Sequence, residues 1–198
     1  DDIGAGGAMT VLLKDALKPN LMQTLEGNPA VVHAGPFANI AQGNNSIIAD
    51  LVAMKLSDYV VTESGFAADM GAEKFMDLIC RYGGFAPSAV VITCTMRALK
   101  MHGGLPADPE LLKGENNAAL EKGCENLAKQ IENMKYFGVP VVVTINRFAF
   151  DRDSEVEIVR KAAVAAGAED AVPIKVHALG GDGGQEAAEV VKAAADKG

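Results

Sequence analysis

Two runs of branched apolar residues, Val90-Val91-Ile92 and Val141-Val142-Val143, constrain the fold more than any other feature of this sequence. A strand with one face in water alternates apolar and polar residues. These runs do not alternate, so both of their faces must be covered, as in the parallel sheet of an α/β protein. Five strands are predicted on this pattern: Ala30–His33, Tyr59–Thr62, Ala89–Thr95, Val139–Ile145 and Val172–His177.

Helical patterns separate the strands. From about Asn116 to Phe137, residues Leu120, Cys124, Leu127, Ile131 and Met134 recur at alternating spacings of four and three, which makes one apolar stripe. Gly138 and Pro140 then stop the helix. Asp153 or Ser154 is placed to cap a helix that runs through Ala166 and ends at Gly167, and a last helix covers about Gln185–Ala195. Strands alternating with helices imply crossover connections and a mostly parallel, doubly wound sheet. Ligands of such sheets bind beyond the carboxyl ends of the strands, so the loops that follow each strand carry the candidate chemistry.

Composition narrows the function. The 198 residues carry a formal net charge of −8, which argues against non-specific binding to nucleic acid or to an anionic membrane. No apolar stretch reaches the roughly 18 residues of a membrane span. Cys80, Cys94 and Cys124 are far apart and form no C-x-x-C pair, so reduced thiols of a cytoplasmic protein are expected rather than a metal site. The N-terminus has neither an initiator Met nor a basic leader, and it reads as the start of a fragment.

The first loop, His33 to Ser46, gathers Asn39, Gln42, Asn44, Asn45 and Ser46, which can either hold an anion or form a turn with Asn45 or Ser46 as helix cap. The second offers Gly65 and Phe66, a ring able to stack on a flat ligand or to pack in a core, with Glu63, Asp69 and Glu73 nearby. After the third strand, Arg97, Lys100 and His102 make the densest basic cluster, suited to phosphate or carboxylate groups or to a solvated helix face. The Gly/Pro-rich stretch Gly103–Gly114 follows, as a surface insertion or a lid. After the fourth strand, Asn146 can read a purine edge or a polar ring, and Phe148 offers another stacking face. After the fifth come His177 and the glycines Gly180 and Gly181, whose small size allows close approach to a ligand. There is no G-x-x-x-x-G-K-[ST], no G-x-S-x-G and no strand-linked G-x-G-x-x-G.

Several longer runs resemble one family, in order and over essentially the whole chain. They are Gly7-Ala8-Met9 with Val11–Ala16, Pro19-Asn20-Leu21, Gln23–Gly27, Gly35–Ala41, Asp58–Glu63, Gly71–Phe75, Arg97–Gly104 and Val141–Phe148. Together they are similar to formate–tetrahydrofolate ligases, which make 10-formyltetrahydrofolate in one-carbon metabolism.

That resemblance implies a P-loop-NTPase-like layer without its P-loop. It also implies ATP with Mg2+, formate and tetrahydrofolate as substrates, with a monovalent cation (ammonium or potassium) promoting the reaction. Carried over by position, Phe66, Phe148, His177, Gly180 and Gly181 would border the folate. Gly65, Arg97, Lys100 and Asn39 would face phosphate or other anionic substrate groups, and Asn146 the nucleotide. No residue is assigned as catalytic or as a metal ligand.

The chain departs from the family at several positions. His177 stands where members place Trp, Leu179 where they place Lys, Gln42 where His is expected, and Ala34, Ala67 and Ala68 where Gly or a small polar residue is expected. The family's P-loop and an Arg-bearing loop would precede Asp1 and a further part would follow. The chain then corresponds to an internal segment, about the middle third, inactive alone and homo-oligomeric when full length. The alternative is a non-catalytic α/β scaffold that binds nucleotide or folate.

Overall fold

The computed structural model describes residues 2–33 and 44–197. They fall into two compact units, residues 1–85 and 86–198.

In the first unit, helix α1 (Gly6–Leu13) leads to an antiparallel hairpin of β1 (Asn20–Gln23) and β2 (Pro29–Val32), in register Asn20↔Val32 to Gln23↔Pro29. Gly27 turns the chain at φ +83°, a conformation that costs glycine little. Helix α2 (Ile47–Leu56) is capped by Ser46, whose Oγ accepts from Ala49 N at 3.0 Å. This matches one of the two cap residues expected. A continuous helical run over 68–83 opens with two wider π turns, Ala68–Ala72 and Phe75–Ile79, and ends in α3 (Cys80–Gly83), where Gly84 takes φ +69°.

Two strand expectations are corrected here. The run Ala30–His33 does form a strand, but it pairs antiparallel with Asn20–Gln23 instead of joining the parallel sheet. Tyr59–Thr62 joins neither sheet, and Val61 is 95% exposed. High β-propensity favours an extended backbone, but a strand also needs a hydrogen-bonding neighbour.

The second unit is the α/β layer. Strands β3 (Val90–Cys94), β4 (Val141–Asn146) and β5 (Asp170–Ile174) form a parallel sheet in the order β3-β4-β5. Val90 pairs with Val141 through to Cys94 with Ile145, and Val142 with Asp170 through to Asn146 with Ile174. Residues 141–145 of the central strand are all buried, as their unbroken apolar run requires. Strand β5 starts two residues earlier than predicted and tolerates Pro173 because it lies at the sheet edge.

Helices α4 (Met96–His102), α5 (Pro109–Lys113) and α6 (Asn117–Lys135) connect β3 to β4. Thr95, Asp108 and Asn116 cap them through side-chain oxygens. The whole predicted stripe of α6 is buried. Where α4 and α6 cross, a Cβ on Gly123 would lie 1.8 Å from Leu99 O and one on Gly103 1.8 Å from Ala119 O, so the two backbones touch through their glycines. Helix α7 (Asp153–Ala165) begins after Arg152. Its first turn is closed by Glu155, which accepts from Arg152 N at 3.2 Å, so Asp153 and Ser154 lie inside the helix and do not cap it. The chain then runs through α8 (Val176–Leu179), a 3-10 turn (Gly180–Gly184) and α9 (Gln185–Ala195). Among the described residues no helix is long and apolar enough to cross a membrane.

Candidate functional site

The carboxyl edge of the parallel sheet gathers the candidates of the second unit. Because Cys94 pairs with Ile145 and Asn146 with Ile174, the segments leaving β3, β4 and β5 emerge at matching heights. Asn146 ends β4, and Arg97, Phe148, His177, Gly180 and Gly181 follow the strand ends.

The turn after β4 is tightly built. Phe148 N donates to Asp151 Oδ2 at 2.8 Å, and Asp151 N donates back to Phe148 O at 3.0 Å. Asp151 is buried, and its Oδ1 has no hydrogen-bond partner. Burial pushes its carboxyl above the usual range and the Glu155 charge adds to this, while the Phe148 amide, Lys100 and Arg147 oppose it. Arg147 is consumed locally, with Nη1 on Asp153 Oδ1 at 2.8 Å and Nη2 on Asp151 O at 2.9 Å. Phe148 stacks parallel on Phe150 at 5.6 Å, and the Arg97 guanidinium carbon lies 3.8 Å from the Phe148 ring centre.

Lys100 has a different role from the anionic-group contact its sequence position suggested. It is fully buried and lies 2.5 Å from Glu155 Oε1, and it donates to Gly114 O at 2.8 Å and Leu112 O at 3.3 Å. Two carbonyls take hydrogen bonds from the ammonium and Glu155 balances its charge, so Lys100 ties α4 to α5 and to the start of α7. The stretch Gly103–Gly114 is accordingly an anchored connection that contains α5. A signal for this was present in the sequence: Lys100 lies four residues after Met96, on the same face as a buried apolar residue.

His177 is exposed on α8. Gly180 takes φ +59° and ψ −143°, which other residues rarely adopt. The loop closes where Lys175 N donates to Gly183 O at 3.0 Å, and a Cβ on Gly183 would meet Lys175 backbone at 2.6 Å. Cys94 and Cys124 are buried thiols pushed by desolvation up to about 12 and about 11. Cys80, in the first unit, is half-buried and also raised by desolvation.

In the first unit, Phe66 is 73% exposed and takes φ +62°, followed by Ala67 at +70°. Two consecutive non-glycine residues there store strain. They are held because Gly71 N donates to Gly65 O at 3.1 Å and Gly71 has no Cβ, which would fall 2.1 Å from that oxygen. In the same unit, His33 is buried, with Nε2 donating to Ala16 O at 2.7 Å and Nδ1 paired with Ser46 Oγ at 2.8 Å. Its role in this arrangement is to fix the entry to α2. Asn39 and Gln42 lie outside the described residues. Among the described residues no three of His, Cys, Asp and Glu converge as metal ligands.

The three-stranded parallel sheet with its connecting helices defines an α/β protein, and its fold is consistent with the nucleotide-binding-like class. The chain matches the family model for formate–tetrahydrofolate ligase over residues 1–198. It is 61% identical to a formate–tetrahydrofolate ligase of Desulforamulus reducens, 57% to one of Ruegeria pomeroyi and 54% to one of Roseiflexus sp.. These alignments cover 99–100% of this chain and 35–36% of each relative. The chain therefore belongs to the formate–tetrahydrofolate ligase family and spans about a third of the length of these relatives.

Proposed function

We propose that this chain is part of a ligase that joins formate to tetrahydrofolate at the expense of ATP. The reading is supported by a family match that runs unbroken over all 198 residues. In the proposed reaction a formate oxygen attacks the γ-phosphorus of ATP and ADP leaves. The N10 amine of tetrahydrofolate then attacks the formyl carbon of formyl phosphate, inorganic phosphate leaves, and the amine loses a proton. The protein's task is to position reactants and neutralise charge.

Phe66 presents an exposed ring for stacking on folate. In the second unit, His177 supplies a ring, and Gly180 and Gly181 allow backbone to approach a flat ligand. Asn146 reads the nucleotide, and Arg97 meets an oxyanion, with Gly65 and Asn39 assigned to anionic groups by resemblance alone. Phe148 is assigned to the folate by the same resemblance, although Arg97 already lies over its ring. Magnesium enters with ATP and a monovalent cation promotes the reaction. The described carboxylates do not converge as a metal site, so no step is routed through either ion here. We further propose a cytoplasmic homo-oligomer that engages neither nucleic acid nor membrane.

The test uses the full-length protein that carries this chain. Formation of 10-formyltetrahydrofolate should require ATP and formate, and the 198-residue chain alone should give none. Phe66→Ala and His177→Ala should each raise KM for tetrahydrofolate about 2–10-fold, equivalent to one lost stacking contact, with KM for ATP unchanged. Absence of synthesis by the full-length protein would instead support a non-catalytic scaffold.

A further inference from the structure

Beyond β4 the chain stays on its neighbour for one more residue, Arg147 N donating to Ile174 O at 3.1 Å. Phe148 carries the next amide, and that amide turns away from the sheet. Its N–H is taken by Asp151 Oδ2 at 2.8 Å, and Asp151 N returns a bond to Phe148 O at 3.0 Å. One residue thus fixes both backbone polar groups of Phe148, and with them the direction in which the ring leaves the chain.

Asp151 is itself held. It is 5% exposed, Arg147 Nη2 donates to its carbonyl at 2.9 Å, and α7 begins two residues later. The Lys100–Glu155 pair ties the start of α7 to α4. Helix α4 also carries Arg97, whose guanidinium carbon lies 3.8 Å from the centre of the Phe148 ring and 5.6 Å from that of Phe150. The two rings are likewise 5.6 Å apart. With those distances Arg97 and Phe150 cannot sit on opposite faces of Phe148, so its far face is covered by neither. The ring is backed on one side by a cation and rooted at its backbone, with one face left for a flat ligand.

Packing alone does not account for Asp151. Its Oδ1 is buried without a hydrogen-bond partner, a cost that an apolar side chain of the same size would avoid. What the carboxyl supplies, and an apolar group would not, is the acceptor for Phe148 N.

We infer that Asp151 is a positioning residue, which aims the Phe148 ring at the pterin of tetrahydrofolate. The inference rests on the folate reading of Phe148 given above.

The test measures dissociation constants for tetrahydrofolate and for ATP by calorimetry on the full-length protein that carries this chain. Phe148→Ala is the reference and should weaken tetrahydrofolate about 2–10-fold. Asp151→Ala removes the acceptor while the ring remains, and should weaken tetrahydrofolate about three-fold with ATP unchanged. Added to Phe148→Ala it should have no further effect, because the ring it aims is gone. Asp151→Asn keeps an acceptor oxygen and should restore the affinity. Asp151→Ser keeps a shorter acceptor, gives a smaller loss than Asp151→Ala, and serves if that variant fails to fold. If Phe148→Ala weakens tetrahydrofolate and Asp151→Ala does not, the inference is overturned and the folate reading stands. It is also overturned if Asp151→Ala weakens ATP equally, or if its effect persists in full without the Phe148 ring. If Phe148→Ala itself leaves tetrahydrofolate affinity unchanged, the folate reading of Phe148 falls and this inference falls with it.

Discussion

The two units of this chain differ in how they spend their apolar residues. In residues 86–198 the central strand is inaccessible, α6 buries its whole stripe, and even a lysine–glutamate pair is fully enclosed. In the described part of residues 1–85, α1 buries nothing, β1 is exposed throughout, and Leu12, Leu21, Leu56, Val61 and Tyr82 all stand in the open. The same residue types do different work in each. In the second unit Val143 is fully buried, while in the first Val61 is 95% exposed.

The sharpest way to break this comparison is to unpair a charge in each unit. Lys100→Met strands Glu155 in the interior and should cost roughly 3–5 kcal/mol by thermal or urea unfolding. The double change Lys100→Met with Glu155→Leu should recover much of that loss. Removing the exposed Lys18–Asp15 pair of the first unit should leave the unfolding midpoint where it was. Loss of stability on Lys18→Ala as large as that on Lys100→Met would remove the distinction between the units.

A smaller effect comes from truncating valines. Val143→Ala should cost roughly 2–3 kcal/mol through the cavity it leaves, and Val61→Ala should stay within about 0.5 kcal/mol. Equal losses at the two positions would show that Val61 is covered in solution.

The smallest effect is one on which the units should agree. Asp50 in the first and Asp151 in the second both have carboxyls raised above 3.8, chiefly by desolvation. Each binds its proton more tightly in the folded chain. Its contribution to stability is therefore fully present below about 3.8 and is lost as pH rises through the raised folded value. Asp50→Asn and Asp151→Asn should each flatten the fall in stability with pH over that window, measured by urea unfolding at stepped pH. A slope unchanged in either variant would show that its carboxylate does not titrate there.

The second unit was the legible one because burial on both faces writes itself directly into sequence. Val90-Val91-Ile92 and Val141-Val142-Val143 have no polar residue to place in water, and the stripe from Leu120 to Met134 has one apolar face to hide. The first unit gave weaker signals. Asn20–Gln23 holds no β-branched residue, so β1 escaped notice, and Tyr59–Thr62 has the propensity of a strand but belongs to neither sheet. At the site, the strand ends located Arg97, Asn146 and Phe148 correctly on one edge. Their mutual arrangement was not legible, since the Arg97–Phe148 stack joins residues 51 positions apart in the numbering and the Lys100–Glu155 pair joins residues 55 apart. The glycine contact between α4 and α6 was also invisible, because Gly123 looks like any weak helix residue until Leu99 O is seen against it.

The loop that carries Phe66 has its shape set from outside itself. Gly71 leaves a vacancy that Gly65 backbone fills, and the hydrogen bond between them clamps the intervening turn. Display and identity are thus encoded at separate positions. The side chain at 66 is an exchangeable head on a fixed mount, open to variation in a selection experiment, whereas any side chain at 71 would dismantle the mount whatever ring it carried. A library built on this loop should vary 66 freely and leave 65 and 71 alone.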